Sequence, residues 1–191
     1  MDCKFCVVCS KILQVRYGSH NRSCSEIMND DIEKVIVHPR FEWKKSQLNN
    51  IALIKVNSDI EFIPTVVQAA ILPMKEIADG DMVHAVGWEK IDESNQSDTP
   101  EILKYHQTNV SEFESCGRYL PHLDNFEAKD QILCTCATTD DTFPELDNGS
   151  ALISSDKDEL IGIAAWRNGE HPNVYVKIRT LLPWIRSVIF E

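Results

Sequence analysis

Six short runs rich in β-branched residues recur along the chain: Leu13–Tyr17, Val35–His38, Ile51–Val56, Met82–Val86, Leu160–Ala165 and Val174–Ile178. Turn residues separate them. Strand-length apolar runs broken in this way predict an all-β barrel or sandwich. Leu181–Phe190 alone has helical character, with Leu181, Leu182, Ile185, Val188 and Ile189 on one face and Pro183 in a tolerable first turn. The polar, acidic stretch Glu89–Pro100 is the expected connection between two barrels, residues 1–90 forming the first and 91–191 the second.

At 191 residues with 43% hydrophobic content, the chain can bury a sizeable core, and no apolar run approaches the ~20 residues of a membrane span. A formal net charge of −11 argues against nucleic acid or an anionic membrane as partner. Seven cysteines are many for a cytosolic chain of this length and point to an oxidising compartment. Cys3, Cys6 and Cys9 form C-x2-C-x2-C, a spacing that metal or an iron–sulfur cluster can use. The next thiol, Cys24, lies beyond a predicted strand, so disulfides or a scrambled N-terminus are the expected readings; no metal and no cofactor is predicted.

Residues 145–152 read Glu-Leu-Asp-Asn-Gly-Ser-Ala-Leu. They resemble the nucleophile loop of trypsin-like serine proteases, Gly-Asp-Ser-Gly-Gly-Pro. Other blocks follow in family order. His38-Pro39-Arg40-Phe41 and Asn50-Ile51-Ala52-Leu53-Ile54-Lys55-Val56 resemble His-Pro-x-Tyr/Phe and Asp-Ile-Ala-Leu-Ile-Lys-Leu. Val86-Gly87-Trp88 resembles the Ser-Gly-Trp-Gly strand, and Leu103–Val110 followed by Cys116 resembles the start of the second barrel. Ile161–Trp166, Pro172–Ile178 and Leu182–Ile185 resemble Gly-Ile-Val-Ser-Trp-Gly, Pro-Gly-Val-Tyr-Thr-Lys-Val and the terminal Trp-Ile helix. The resemblance implies two antiparallel Greek-key β-barrels, the first truncated, with a C-terminal helix. Within the family the chain looks most like arthropod and mite trypsin homologues, including inactivated paralogues. The family also implies a Cys116–Cys134 disulfide, and Cys136 then has no family partner.

Carried onto this chain, the family's catalytic positions are altered. Asn148 stands in the nucleophile slot, and a carboxamide has no hydroxyl with which to form an acyl-enzyme. Asn50 replaces the aspartate that orients the general base, and Leu146 replaces a glycine whose N–H helps to bind the oxyanion. Ser150, two residues beyond the slot, would need a new base and a rebuilt turn to substitute. Met1–Ser10 has neither a signal-peptide pattern nor the mature protease's Ile-Val-Gly-Gly start, and the Ala-Ala-His-Cys block of the general base is not found. The chain is expected to be either a fragment or a form with an eroded first barrel.

Asp147, Gly149 and Trp166 retain family identities. Two glycines that line the family's primary pocket become Arg167 and Asn173, expected to fill it in part, unless Arg167 keeps its head in water. Thr142 stands at the position that sets charge preference. Sequons at Asn21, Asn95 and Asn109 are candidate glycosylation sites, and that at Asn148 is not expected to carry a glycan. The resemblance thus implies a secreted, catalytically inactive homologue that binds other proteins. Inactivated mite paralogues act on host complement, and insect homologues act as cofactors in immune protease cascades. The alternatives are an active trypsin-like endopeptidase known from a shortened sequence, and a decayed, functionless copy.

Overall fold

The structure is a computed structural model that describes residues 14–24, 28–42, 48–88, 101–117, 126–136, 148–166 and 173–190. The chain divides into two compact units. One comprises Met1–Val37 and Ala52–Ala69, the other His38–Ile51 and Ala70–Glu191.

The first unit is built on a three-stranded antiparallel sheet of β1 (Gln14–Tyr17), β2 (Met28–Val37) and β3 (Ala52–Val56), in that order. Its middle strand is longer than the predicted Val35–His38. The added Met28-Asn29-Asp30-Asp31 segment has no strand-like apolar pattern, but it pairs with β1 from Tyr17↔Met28 to Gln14↔Asp31. Its carboxylates are also satisfied: Gln14 donates Nε2–H to Asp31 at 2.9 Å, and the Ser58 N–H donates to buried Asp30 at 3.3 Å. Pairing partners override a poor local propensity.

The second unit is a closed six-stranded barrel. Its strands are β4 (Met82–Gly87), β5 (Lys104–Ser111), β6 (Ile132–Thr135), β7 (Ala151–Ser154), β8 (Leu160–Trp166) and β9 (Val174–Lys177). The order around the barrel is β4-β5-β6-β9-β8-β7, with β4 pairing β7 to close it. The expectation that residues 1–90 form the first barrel is therefore corrected: Met82–Gly87 opens the second. The cause is packing, because Val83 and Ala85, at alternate positions, are buried in one core with Val110, Leu133, Leu152, Ile161, Ala164 and Tyr175. Leu103–Val110, expected to start this barrel, supplies its second strand.

Gly162 lies where β8 passes between β7 and β9. A Cβ there would come within 3.0 Å of the Tyr175 Cβ and 3.3 Å of the Leu152 Cβ, so glycine is required for close approach.

Helices are more numerous than the sequence reading allowed. Two short ones, α1 (Phe113–Gly117) and α2 (Phe126–Gln131), precede β6, and α3 (Ile178–Ile189) follows β9 without a break. Because α3 starts three residues before the expected Leu181, Pro183 falls in its second turn and removes one intrahelical hydrogen bond. The helix persists because Ile178, Leu181, Leu182 and Ile185 form a buried stripe at helical spacing. No helix among the described residues is long and apolar enough to cross a membrane.

Candidate functional site

Asn50 is presented by a segment that belongs to the barrel unit although it lies far from the barrel strands in sequence. Leu48 anchors it, packing with Cys116, Ala128, Ile132, Cys134 and Val174 in a second buried cluster. Asn49 then takes a left-handed conformation, φ 57°, which Asn tolerates better than most side chains. Its N–H donates to Oε1 of Gln131 on α2 at 2.9 Å, and the Ile51 N–H donates to the Asn49 carbonyl at 2.8 Å. Between these fixed points the Asn50 side chain reaches β8, where Nδ2 donates to the Ala165 carbonyl at a long 3.5 Å.

The Asn148–Gly149 turn reaches the same stretch of β8. Gly149 has φ 98°, and a Cβ built on it meets nothing within 4 Å, so its backbone conformation rather than space requires glycine. The Gly149 N–H donates to the Ala164 carbonyl at 2.7 Å, and the Ala164 N–H returns a bond to the Ser150 carbonyl at 2.8 Å. Asn148 is exposed on this turn. Asn50 is thus bonded to Ala165, and the turn that carries Asn148, nearly a hundred positions away in sequence, is bonded through Gly149 and Ser150 to the neighbouring Ala164. Asn50 and Asn148 are both carboxamides, which neither titrate near neutrality nor act as nucleophiles.

Asn173 precedes β9, is 2% exposed, and its carbonyl accepts from the Thr135 N–H at 3.3 Å. Neither Asn173 Oδ1 nor Thr135 Oγ1 has a hydrogen-bond partner among the described residues. Two buried polar oxygens at adjoining backbone positions form a costly arrangement. The sequence signal for Asn173 was the lost pocket glycine, but nothing in the sequence pointed to Thr135. Trp166 ends β8, opposite Val174 across an irregular register. Leu146, Asp147, Thr142, Arg167 and Asn95 lie outside the described residues, as do Cys3, Cys6 and Cys9.

The implied disulfide is present: Cys116 and Cys134, each 1% exposed, are bridged with a Cα–Cα distance of 6.0 Å. Cys24 and Cys136 are unbridged. Of the candidate glycan acceptors, Asn109 is exposed but donates Nδ2–H to the Gly80 carbonyl at 2.9 Å. Asn21 uses Oδ1 to accept the Ser23 N–H at 2.9 Å.

Two histidines of the barrel unit are held in ring contacts. His38 is buried, accepts the Arg40 N–H on Nδ1 at 3.2 Å, and meets the Trp184 ring edge-on at 4.7 Å. Burial, and secondarily the charge of Arg40, hold its pKa below the usual 6.5. His84 packs edge-on against Tyr105 at 5.2 Å.

Comparison with known proteins agrees with this architecture. The family model described as Trypsin matches residues 5–185. Mouse ovochymase-2 is 25% identical over 91% of this chain, which spans only 32% of that protein. A snake venom serine protease homolog, HS120 of Bothrops jararaca, is 26% identical over 93% of the chain and 68% of its own length. Venom serine protease 34 of Apis mellifera is 27% identical over 92% of the chain and 45% of its own. In fold, the solved structure of GrC superposes with a TM-score of 0.79 at 21% identity, over 93% of this chain and 78% of that one. With a closed barrel, a second sheet, a C-terminal helix and a family match across nearly its whole length, this chain belongs to the trypsin family.

Proposed function

We propose that this chain is a secreted, non-cleaving member of the trypsin family that works by binding other proteins, in complement or another protease cascade. The observation that carries this reading is the pair of carboxamides at the reaction centre: Asn50 in the orienting slot, bonded to β8, and Asn148 in the nucleophile slot, on a turn that Gly149 and Ser150 bond to the same strand. Acyl transfer needs a hydroxyl or thiol nucleophile and an oriented base, and a carboxamide supplies neither. Leu146, in place of an oxyanion glycine, works in the same direction. That a relative is itself named a serine protease homolog supports the reading, and two relatives named as venom proteins, together with the disulfide, support secretion. A closed barrel is a frame suited to recognition without chemistry.

The test is hydrolysis of chromogenic peptides with Arg, Lys or aromatic residues before the scissile bond, together with labelling by a serine-directed phosphonate. Neither is expected above background. Asn148→Ser is also expected to remain silent. In active family members, replacing the orienting aspartate by asparagine alone costs about four orders of magnitude in kcat, and Asn50 keeps that asparagine in place. Hydrolysis or labelling by the unaltered protein would overturn the reading.

A further inference from the structure

At the end of β7 remote from Asn148, a cleft of about 200 Å³ opens in the barrel unit between residues 75–82 and the β7–β8 turn. Three apolar residues, Ile77, Met82 and Ile161, contribute to its walls. Glu159 also lines it and is only 8% exposed. Its backbone is clamped on two sides. The Ser154 N–H donates to the Glu159 carbonyl at 3.0 Å, the Glu159 N–H donates to Ser154 Oγ at 3.1 Å, and the next residue's N–H donates to the Ile71 carbonyl at 2.8 Å.

The other three carboxylates of the cleft have partners. Asp156 pairs with Lys157 at 3.1 Å, Glu76 pairs with Lys177 at 3.7 Å, and Asp81 accepts the Ala78 N–H at 2.9 Å. Among the described residues no hydrogen bond or ion pair reaches the Glu159 carboxylate, and exposed Lys75 is joined to none of these acids. The Lys157 ammonium, paired with Asp156, feels the Glu159 charge but forms no ion pair with it, and a nearly buried carboxylate without a direct partner favours an incoming cation. Lys157 reports the local field: its hydrogen bond to Asp156 first, and then the charges of Asp156, Glu159 and Asp81, raise its pKa.

We infer that this cleft receives one arginine or lysine side chain of a protein partner, its stem against Ile77, Met82 and Ile161 and its cationic head at Glu159. The volume decides against a larger occupant, since sites for small organic ligands run to roughly 300–1,000 Å³. A long cationic side chain is apolar along its stem and charged at its tip, which matches the arrangement of the walls. The site does not depend on whether the chain cleaves peptides, so it stands or falls separately from the proposed function.

The test is a nitrogen-15 NMR titration of the full chain with acetyl-Gly-Arg-Gly-amide, its citrulline analogue, and agmatine as a free cation. The arginine peptide is expected to shift the amides of Ser154 to Glu159, to bind at least tenfold more tightly than the citrulline peptide, and at least as tightly as agmatine. Glu159→Gln is expected to weaken it at least fivefold. Four results overturn the inference: equal binding of the citrulline peptide, unchanged affinity in Glu159→Gln, binding of agmatine without the peptide, or shifts centred on Asn148 and Gly149. The citrulline comparison uses the unaltered protein, so it holds even if the variant folds poorly.

Discussion

Gly162 and His38 show how single residues carry the fold. In an exposed strand, Gly→Ala ordinarily stabilises, by roughly 0.5–1 kcal/mol. Here the added Cβ meets rigid Cβ atoms of Leu152 and Tyr175 at 3.3 and 3.0 Å, so β7 or β9 must move. Gly162→Ala is expected to destabilise by about 1–3 kcal/mol in denaturant unfolding, and a gain in stability would refute the close packing. His38 gives a pH dependence of definite sign. Its folded pKa lies below 6.5, so between 6.5 and that lower value the unfolded state binds the proton and the folded state resists it. Stability is therefore full above pH 6.5 and falls as the pH drops through the window. The unfolding midpoint is expected to fall between about pH 7.5 and 5.5, and more steeply than in His38→Gln; equal slopes would exclude His38 as the cause.

At the scale of elements, the Cys116–Cys134 bridge ties α1 to β6 across 18 residues and sits inside the cluster that also anchors Leu48. Closing a loop of that length is worth about 3 kcal/mol through the unfolded chain. The Cys116→Ala, Cys134→Ala double variant is expected to lose about that much, read as a lower denaturant midpoint; an unchanged midpoint would show that the bridge adds nothing beyond packing. Because Leu48 shares this cluster, the same variant is also expected to broaden the NMR signals of Asn49 and Asn50. The elements themselves were unequally legible. Strands with clear apolar runs, such as Met82–Val86 and Leu160–Ala165, stand close to where periodicity puts them. Strand β6 escaped because it is buried at every position and so shows no alternation, and β7 because Leu152 and Ile153 are its only large apolar residues. The start of α3 escaped because Ile178 to Thr180 continue a β-branched run, and only burial of Ile178 beside Leu181 and Leu182 makes them helical.

For the whole molecule, the net charge of −11 bears on association rather than on fold. Segments 89–100 and 137–145 are rich in acidic residues, whereas 118–129 balances two acids with two bases; under the proposed function these three segments engage the partner. Electrostatic steering by such segments acts on the association rate and is screened by salt, while dissociation changes little. Surface plasmon resonance against complement and clotting proteins is expected to show this pattern. Neutralising Glu93, Asp98, Asp140 and Asp141 together should slow association; an unchanged on-rate would rule out steering by these residues.

The sequence by itself was sufficient for the all-β class and the family blocks, which are written in local pattern; the Cys116–Cys134 pair and the slots assigned to Asn50 and Asn148 came only through the family resemblance. Only the tertiary structure decided that Met82–Gly87 belongs to the closed barrel, that Asn50 reaches the Ala165 carbonyl 115 residues away, and that Glu159 lines a cleft without a direct hydrogen bond or ion pair to its carboxylate among the described residues. The reason is physical. Strand periodicity is set by alternating side chains over a few residues, whereas barrel closure, the β4–β7 pairing and the burial of a charge depend on which distant segments meet, and contacts at that separation leave no local mark in the chain.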